Sequence, residues 1–356
     1  MQLESMFDRR IVAHMSVLSA ASSPCGRYFA FGTNFGFIYV FLLEVSDEGF
    51  PDFTVSTTSK LPYPGGVYSL ITSSNRLYAA SVGYVANISW ENLLAGKSDF
   101  NVIHLPISRR ALDLPEVNSL AILESTNMLY AACGDGSVAS LSLNASGRST
   151  GCFKAHDNSV YALSKAGEHE LLSCSEDGRA CFWDVRATHA NSYPCQKFVP
   201  SEQNELIRKS VGNWLTVASI QEDDLDWFIL GGGPKMSLWN RRASHYTAVF
   251  EPARDSEFWF PHVCKFIGNQ TEPKIVAGGT SSCLFTWDHT GATLAETNLG
   301  ADPATRLLHV LTVTEVFSSD DTVNGCLVAG GLGPALHLVS RLGYSLKQLR
   351  FLNAIS

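Results

Sequence analysis

Ser175-Glu176-Asp177-Gly178, running into Ala180-Cys181-Phe182-Trp183-Asp184-Val185, decides the fold of this chain. Leu171 to Ser175 reads as one strand and Ala180 to Val185 as the strand returning beside it. Between them Glu176-Asp177-Gly178 turns the chain, with a glycine that accepts positive φ at low cost. Val160, Ala162 and Leu163 mark a further strand upstream. One small sheet of this kind cannot bury its own two faces, so the rest of the chain must supply more of them.

With Ala155-His156 ahead of it, the unit spells one complete WD repeat, a four-stranded blade. Its second-strand, turn, third-strand core recurs. Tyr28 to Gly32 turns at Asn34-Phe35-Gly36, and Leu77 to Ser81 turns at Gly83 and reaches Ile88 and Trp90. Leu129 to Cys133 turns at Gly134-Asp135-Gly136. Trp227 to Leu230 turns at Gly231-Gly232-Gly233-Pro234 toward Trp239. Ile275 to Gly279 leads to Trp287-Asp288, and Cys326 to Gly331 leads to Ala335 to Val339. Short strands with regular turn signals are the all-β signature. Seven units with a period of roughly 50 residues nearly exhaust the 356 residues. The expected fold is therefore all-β, a seven-bladed WD40 β-propeller over residues 15–356, with an N-terminal flank over residues 1–14. The excess over an ordinary repeat falls in polar connections at 44–51, 94–113, 188–205 and 253–256, read as loops. Ring closure has two readings: Ser345 to Phe351 is the outer strand of the seventh unit, or the N-terminus lends a strand to the last blade.

Composition narrows the function. Hydrophobic residues make up 45% and charged residues 17%, so the chain is globular. A net charge of -8 lacks the footprint of a primary nucleic-acid binder, and the pairs Arg9-Arg10, Arg109-Arg110 and Arg241-Arg242 read as surface. Nine cysteines without a C-x-x-C pair read as buried free thiols of a reducing compartment, with no zinc spacing. Residues 11–21 are read as a first inner strand, not a signal segment, because Glu4 and Asp8 precede them and His14 interrupts them. No run approaches a membrane span, and the N-x-S/T triplets at Asn87, Asn144 and Asn269 are then coincidental.

His156, Ser173, Asp177 and Trp183 fit a hydrogen-bond network inside one blade: a buried indole N–H needs an acceptor, and a hydroxyl and an imidazole relay that bond to the turn aspartate. Ser175 is the alternative hydroxyl. The set imitates a catalytic triad, but the repeat explains each member and no oxyanion donors accompany it. Gly231 to Pro234 lacks the G-K-[ST] ending of a phosphate loop and reads as a strand-to-strand turn, like Gly330 to Pro334. No catalytic, cofactor-binding or metal-binding residue is expected. Candidates for protein contact lie on the upper rim, made by inner-strand starts and second-to-third-strand turns: Asn34, Glu116, Asp157, Ser159 and Glu176, with Arg186 nearer the opposite rim. Trp259, among Glu257-Phe258-Trp259-Phe260-Pro261, joins them as an aromatic expected to stand exposed, since three successive aromatics on a strand cannot all face inward.

Ser23-Pro24-Cys25-Gly26, Val67-Tyr68-Ser69, Pro115 to Asn118, Gly212-Asn213-Trp214, Asp226-Trp227, the Gly231 to Pro234 turn, His262-Val263 and Leu342-Gly343-Tyr344 together give a wider likeness. Along nearly its whole length the chain resembles the THO complex subunit 6 family, WD-repeat subunits of a nuclear complex that couples transcription to messenger-RNA export. The resemblance implies a non-enzymatic scaffold without cofactor. It would dock onto the coiled-coil subunits 5 and 7, support oligomerisation, and meet messenger RNA through its partners. Pro64-Gly65-Gly66 stands where animal members carry a histidine, and the N-terminus is short. The alternative is another WD40 adaptor, such as a ubiquitin-ligase substrate receptor or a chromatin-associated scaffold; an enzyme with a channel site is disfavoured by ten dispersed histidines.

Overall fold

A computed structural model of the chain describes residues 14–45, 51–106, 114–143, 148–187, 193–208, 211–252, 259–268, 273–301, 307–316, 326–333 and 335–351. Residues 1–13 of the flank, Arg109-Arg110, the connection 253–256, Asn144, Asn269 and Pro334 lie outside them.

Seven four-stranded antiparallel sheets follow one another along the chain. The first holds β1 (Val17–Ser22), β2 (Tyr28–Thr33), β3 (Phe37–Val45) and β4 (Pro51–Lys60). The second holds β5 (Ser69–Ser73), β6 (Arg76–Ala80), β7 (Tyr84–Ser89) and β8 (Asn101–His104). The third holds β9 (Val117–Leu123), β10 (Met128–Cys133), β11 (Ser137–Ser142) and β12 (Ser149–Lys154). The fourth, the complete repeat, holds β13 (Val160–Lys165), β14 (Glu170–Ser175), β15 (Ala180–Asp184) and β16 (Gln196–Phe198). The fifth holds β17 (Val217–Ile220), β18 (Trp227–Gly231), β19 (Met236–Asn240) and β20 (His245–Phe250). The sixth holds β21 (Pro261–Ile267), β22 (Lys274–Gly279), β23 (Cys283–Asp288) and β24 (Thr293–Asn298). The seventh holds β25 (His309–Val316), β26 (Cys326–Leu332), β27 (Ala335–Ser340) and β28 (Ser345–Arg350).

The first strand of each sheet lies beside the first strand of the next, and β25 lies beside β1, so the sheets close into a seven-bladed β-propeller. The apolar cores sit between blades. Each of seven buried clusters joins two neighbouring blades, as where Phe153 and Val138 of the third meet Trp183 and Leu171 of the fourth. A blade packed on both faces contributes to two such cores, which is why isolated blades do not stand alone.

Closure uses the in-register arrangement. β28 is the outer strand of the seventh sheet, and among the described residues every sheet takes four consecutive strands. The seam is apolar: the buried Phe351 ring lies 5.1 Å from that of Tyr39 and 5.8 Å from that of Phe41. Val17 fills the space beside Gly330, and Ser16 bridges to Leu332. Hydroxyls of the inner strands tie blade to blade where no ladder exists: Ser19 donates to Val67 O at 2.8 Å and Thr216 to Pro261 O at 2.6 Å.

Three connections differ from the loop reading. The stretch 94–113 carries β8, 188–205 carries β16, and 44–51 holds the end of β3 and the start of β4. β4, β8 and β16 are the outer strands of their sheets, paired on one edge only, and their polar residues hide them among the connections. Trp90 does not end a strand; it opens α1 (Trp90–Leu94), whose start is capped by Ser89 Oγ accepting from Asn92 N at 3.2 Å. Its ring is nonetheless buried against the first blade. The doubled glycines have a steric cause: a Cβ on Gly232 would stand 1.8 Å from Trp214 O, and one on Gly331 2.0 Å from His309 O.

All nine cysteines are free thiols, but Cys25, Cys152 and Cys195 are exposed, against the expectation that the set is buried. They sit on a turn, an outer strand and a connection, where a small residue faces water without disturbing a core. Among the described residues no helix is long and apolar enough to cross a membrane.

Candidate functional site

The fourth blade carries the polar network. Trp183 Nε1 donates to Ser173 Oγ at 2.8 Å, and Ser173 Oγ lies 2.7 Å from His156 Nε2. An indole N–H can only donate, so the serine accepts there and turns its own proton to the imidazole. His156 Nδ1 then donates to Asp177, 3.0 Å from Oδ2. The carboxylate also accepts from Asp157 N at 3.1 Å, Arg179 N at 3.0 Å and the Arg179 guanidinium at 2.6 Å. Burial alone would raise the Asp177 pKa; the bonds from His156 and Arg179 outweigh it and hold the carboxyl well below the usual range. Ser173 is fully buried, and Ser175 points elsewhere, donating to Asn158 O at 3.1 Å. Ser173 therefore presents no exposed nucleophile, and the set ties the turn that carries Glu176-Asp177-Gly178 to the blade interior.

Other blades have less. Trp239 Nε1 donates to Ser237 Oγ at 2.8 Å, while the buried indoles of Trp90, Trp259 and Trp287 find no acceptor among the described residues. Arg241 clamps the fourth blade to the fifth: it meets Glu170 at 2.7 and 3.0 Å and Gln196 at 2.5 Å, over the Phe182 ring at 4.1 Å.

The rim candidates separate into two kinds. Asn34 is occupied: its Oδ1 accepts from Ser16 N at 2.9 Å and its Nδ2 donates to His14 O at 3.2 Å, tying down the entry to β1. Ser159 Oγ donates to Gly134 O at 2.8 Å, and Asp157 pairs with Arg179 at 2.5 Å. Glu116 and Glu176 are exposed, and among the described residues no ion pair engages either. The fold sets them on one arc. Gly134 N donates to Glu116 O at 2.8 Å, Ser159 bonds Gly134, and Glu176 N donates to Ser159 O at 3.0 Å. Arg186 lies past β15 and pairs with Asp184, on the opposite rim.

Trp259 is not an exposed anchor. It is only 2% exposed and packs on Phe285, ring centres 5.5 Å apart, and on Trp287 at 6.3 Å. The chain is not yet a strand at this residue, since β21 starts at Pro261, so strand alternation does not govern it. Phe260 stacks on Trp214 at 5.8 Å.

Sequence reasoning passed over the rings beside the carboxylates. Tyr68 and Tyr161 stand at the starts of β5 and β13, directly after Val67 and Val160, and Phe35, Tyr63 and Leu114 stand exposed on the same face. His262 and His309, far apart in sequence, stack at 6.2 Å where blades six and seven meet the channel; burial first, then His309, lowers the His262 pKa. No group of three or more potential metal ligands occurs among the described residues.

Comparison with known proteins gives one family model and a set of relatives. The model described as WD domain, G-beta repeat matches residues 147–184, from the outer strand of the third sheet through the third strand of the fourth. The THO complex subunit 6 homolog of Danio rerio is 32% identical over 244 residues, covering 67% of this chain and 72% of the relative. THO complex subunit 6 of Homo sapiens is 28% identical over 286 residues, 80% and 79% of the two chains. That of Drosophila melanogaster is 28% identical over 264 residues, 72% and 70%. Among solved structures the WD40 β-propeller domain of Doa1 superposes with a TM-score of 0.64 over 90% of each chain at 15% identity, a likeness of fold alone.

Proposed function

The chain belongs to the THO complex subunit 6 family, and from that premise we propose that it is a non-enzymatic WD40 scaffold subunit of a nuclear THO-type complex. The observation that carries the reading is the extent of the family likeness: it runs through most of the ring and is not confined to the one complete repeat. A ring held by seven inter-blade cores is a stiff platform, and stiffness lowers the ordering cost of each partner that docks on it.

Within this reading the chain docks onto the coiled-coil subunits 5 and 7 and supports assembly of the complex into a higher oligomer. It serves messenger-RNA processing and nuclear export without itself gripping RNA; a net charge of -8 supports partner-mediated contact. Burial of Ser173 supports a role without catalysis.

Purifying the tagged chain from nuclear extract under crosslinking conditions, with mass spectrometry of its companions, tests the proposal. THO subunits, with crosslinks to the coiled-coil pair, are the expected result. Absence of every THO subunit refutes it.

A further inference from the structure

We propose that the upper mouth of the central channel, along the arc of blades one to four, docks an extended basic segment of a partner protein, one whose arginine or lysine is flanked by apolar side chains. The inference rests on the scaffold reading and gives it a surface.

The first observation is an apolar face that no described residue covers. Phe35 is 38% exposed, Tyr63 48%, Leu114 46% and Tyr161 37%. Backbone contacts make them neighbours in series. The turn bearing Phe35 meets the next connection, where Leu61 N donates to Gly36 O at 2.9 Å, and Tyr63 packs edge-on to Tyr84 at 5.4 Å. Gly83 N donates to Pro115 O at 2.8 Å, which brings Leu114 and Glu116 beside the second blade. From Glu116 the hydrogen bonds through Gly134 and Ser159 lead on to Glu176. Exposed aromatic and aliphatic side chains held on rigid turns are the usual anchors of a protein interface.

The second observation is charge. Glu116 stands beside the Tyr68 phenol, and Tyr161 lies in the field of both Glu176 and Glu116; burial first and these carboxylates next raise both phenols. Among the described residues three nearby cations are committed. Arg179 is bound to Asp177 and Asp157, Lys154 to the Asp135 carbonyl, and Lys60 lies over the Phe37 ring at 4.9 Å. Two carboxylates without a counter-ion among the described residues, each beside a tyrosine, offer a cation both an ion pair and a ring face. The same charge repels phosphate, so a basic peptide fits this arc and a nucleic acid does not.

The test uses the intact chain and two fluorescent nonapeptides, each with leucines flanking the centre, one with two central arginines and the other with two glutamines. By anisotropy at low salt the arginine probe binds about tenfold more tightly than the glutamine probe, and added salt narrows the gap. The double substitution Glu116→Gln with Glu176→Gln, at unchanged melting temperature, abolishes the difference, while Tyr63→Ala weakens both probes. The idea is overturned if neither peptide binds, if both bind alike, if the double variant keeps the preference, or if single-stranded RNA of equal length binds there in their place. Purification from nuclear extract runs in parallel. THO subunits recovered with no peptide preference sink this inference and leave the family reading standing; peptide preference with no THO subunit does the reverse.

Discussion

Ser173→Ala is the most direct probe of the fourth blade. One hydroxyl serves two buried donors or acceptors: Trp183 Nε1 at 2.8 Å and His156 Nε2 at 2.7 Å. Trp183 is 2% exposed and the His156 side chain fully buried, so water cannot replace the lost atom. A stranded buried polar group costs about 1–3 kcal/mol, so two of them cost about 2–6 kcal/mol. Ser237→Ala supplies the internal scale. It strands one indole, that of Trp239, and costs about 1–3 kcal/mol. Urea unfolding followed by tryptophan fluorescence gives both values, and hydrogen exchange shows the loss of protection concentrated on β14 and β15. A Ser173→Ala protein within about 0.5 kcal/mol of wild type refutes the network as a source of stability. Equal losses in the two variants refute the double anchoring of Ser173.

Trp259→Ala lowers stability by about 3–5 kcal/mol, because a buried ring leaves the core between blades five and six; an unchanged melting temperature contradicts that placement. Asp177 gives an acid limb. Its folded-state pKa lies below the unfolded value of about 3.9, so its contribution is whole above that pH and lost as pH falls through the folded value. Asp177→Asn removes that contribution at neutral pH and flattens the fall in melting temperature on acidification; an equally steep fall in the variant sinks the assignment. Arg241→Met keeps the apolar stem but strips Glu170 of its bidentate partner, and costs about 1–3 kcal/mol by thermal melting. Because the Arg241 side chain is 17% exposed, that loss persists in high salt; its disappearance in salt argues for a merely exposed pair.

The parts legible in the sequence are those where burial leaves a pattern. Second and third strands are covered on both sides, so Leu171 to Ser175 and Ala180 to Asp184 read as apolar runs around a glycine turn. Outer strands such as Asn101–His104 and Gln196–Phe198 pair on one edge only and carry polar residues, so nothing in composition separates them from loops. Closure was ambiguous for a different reason: either topology gives the last blade its strands, and only the pairing of β28 with β27 distinguishes them. Glu116 and Glu176 were readable from their place in the repeat. Tyr68 and Tyr161 were not, since a tyrosine after a core valine looks like any half-buried strand residue until the ring turns it toward the mouth.

The stabilising network and the docking arc are parts of one device. His156, Asp157 N and Arg179 all bond the side chain of Asp177, which sits next to Glu176 in the same turn. That turn is also pinned by Glu176 N on Ser159 O and Gly178 N on Ser175 O. A surface carboxylate on a mobile loop spends conformational freedom whenever a partner captures it, whereas one carried by a turn bonded on three sides has lost that freedom in folding. Among the described residues the only blade with a complete polar relay is thus the one whose turn presents an acid without an ion pair at the mouth. In blades five to seven doubled glycines let the end of the second strand press against the backbone at the start of the inner strand, and blades six and seven carry the stacked pair His262 and His309 there. The ring is therefore asymmetric in chemistry though regular in fold, and that asymmetry is what lets a closed set of similar sheets receive a partner in one orientation.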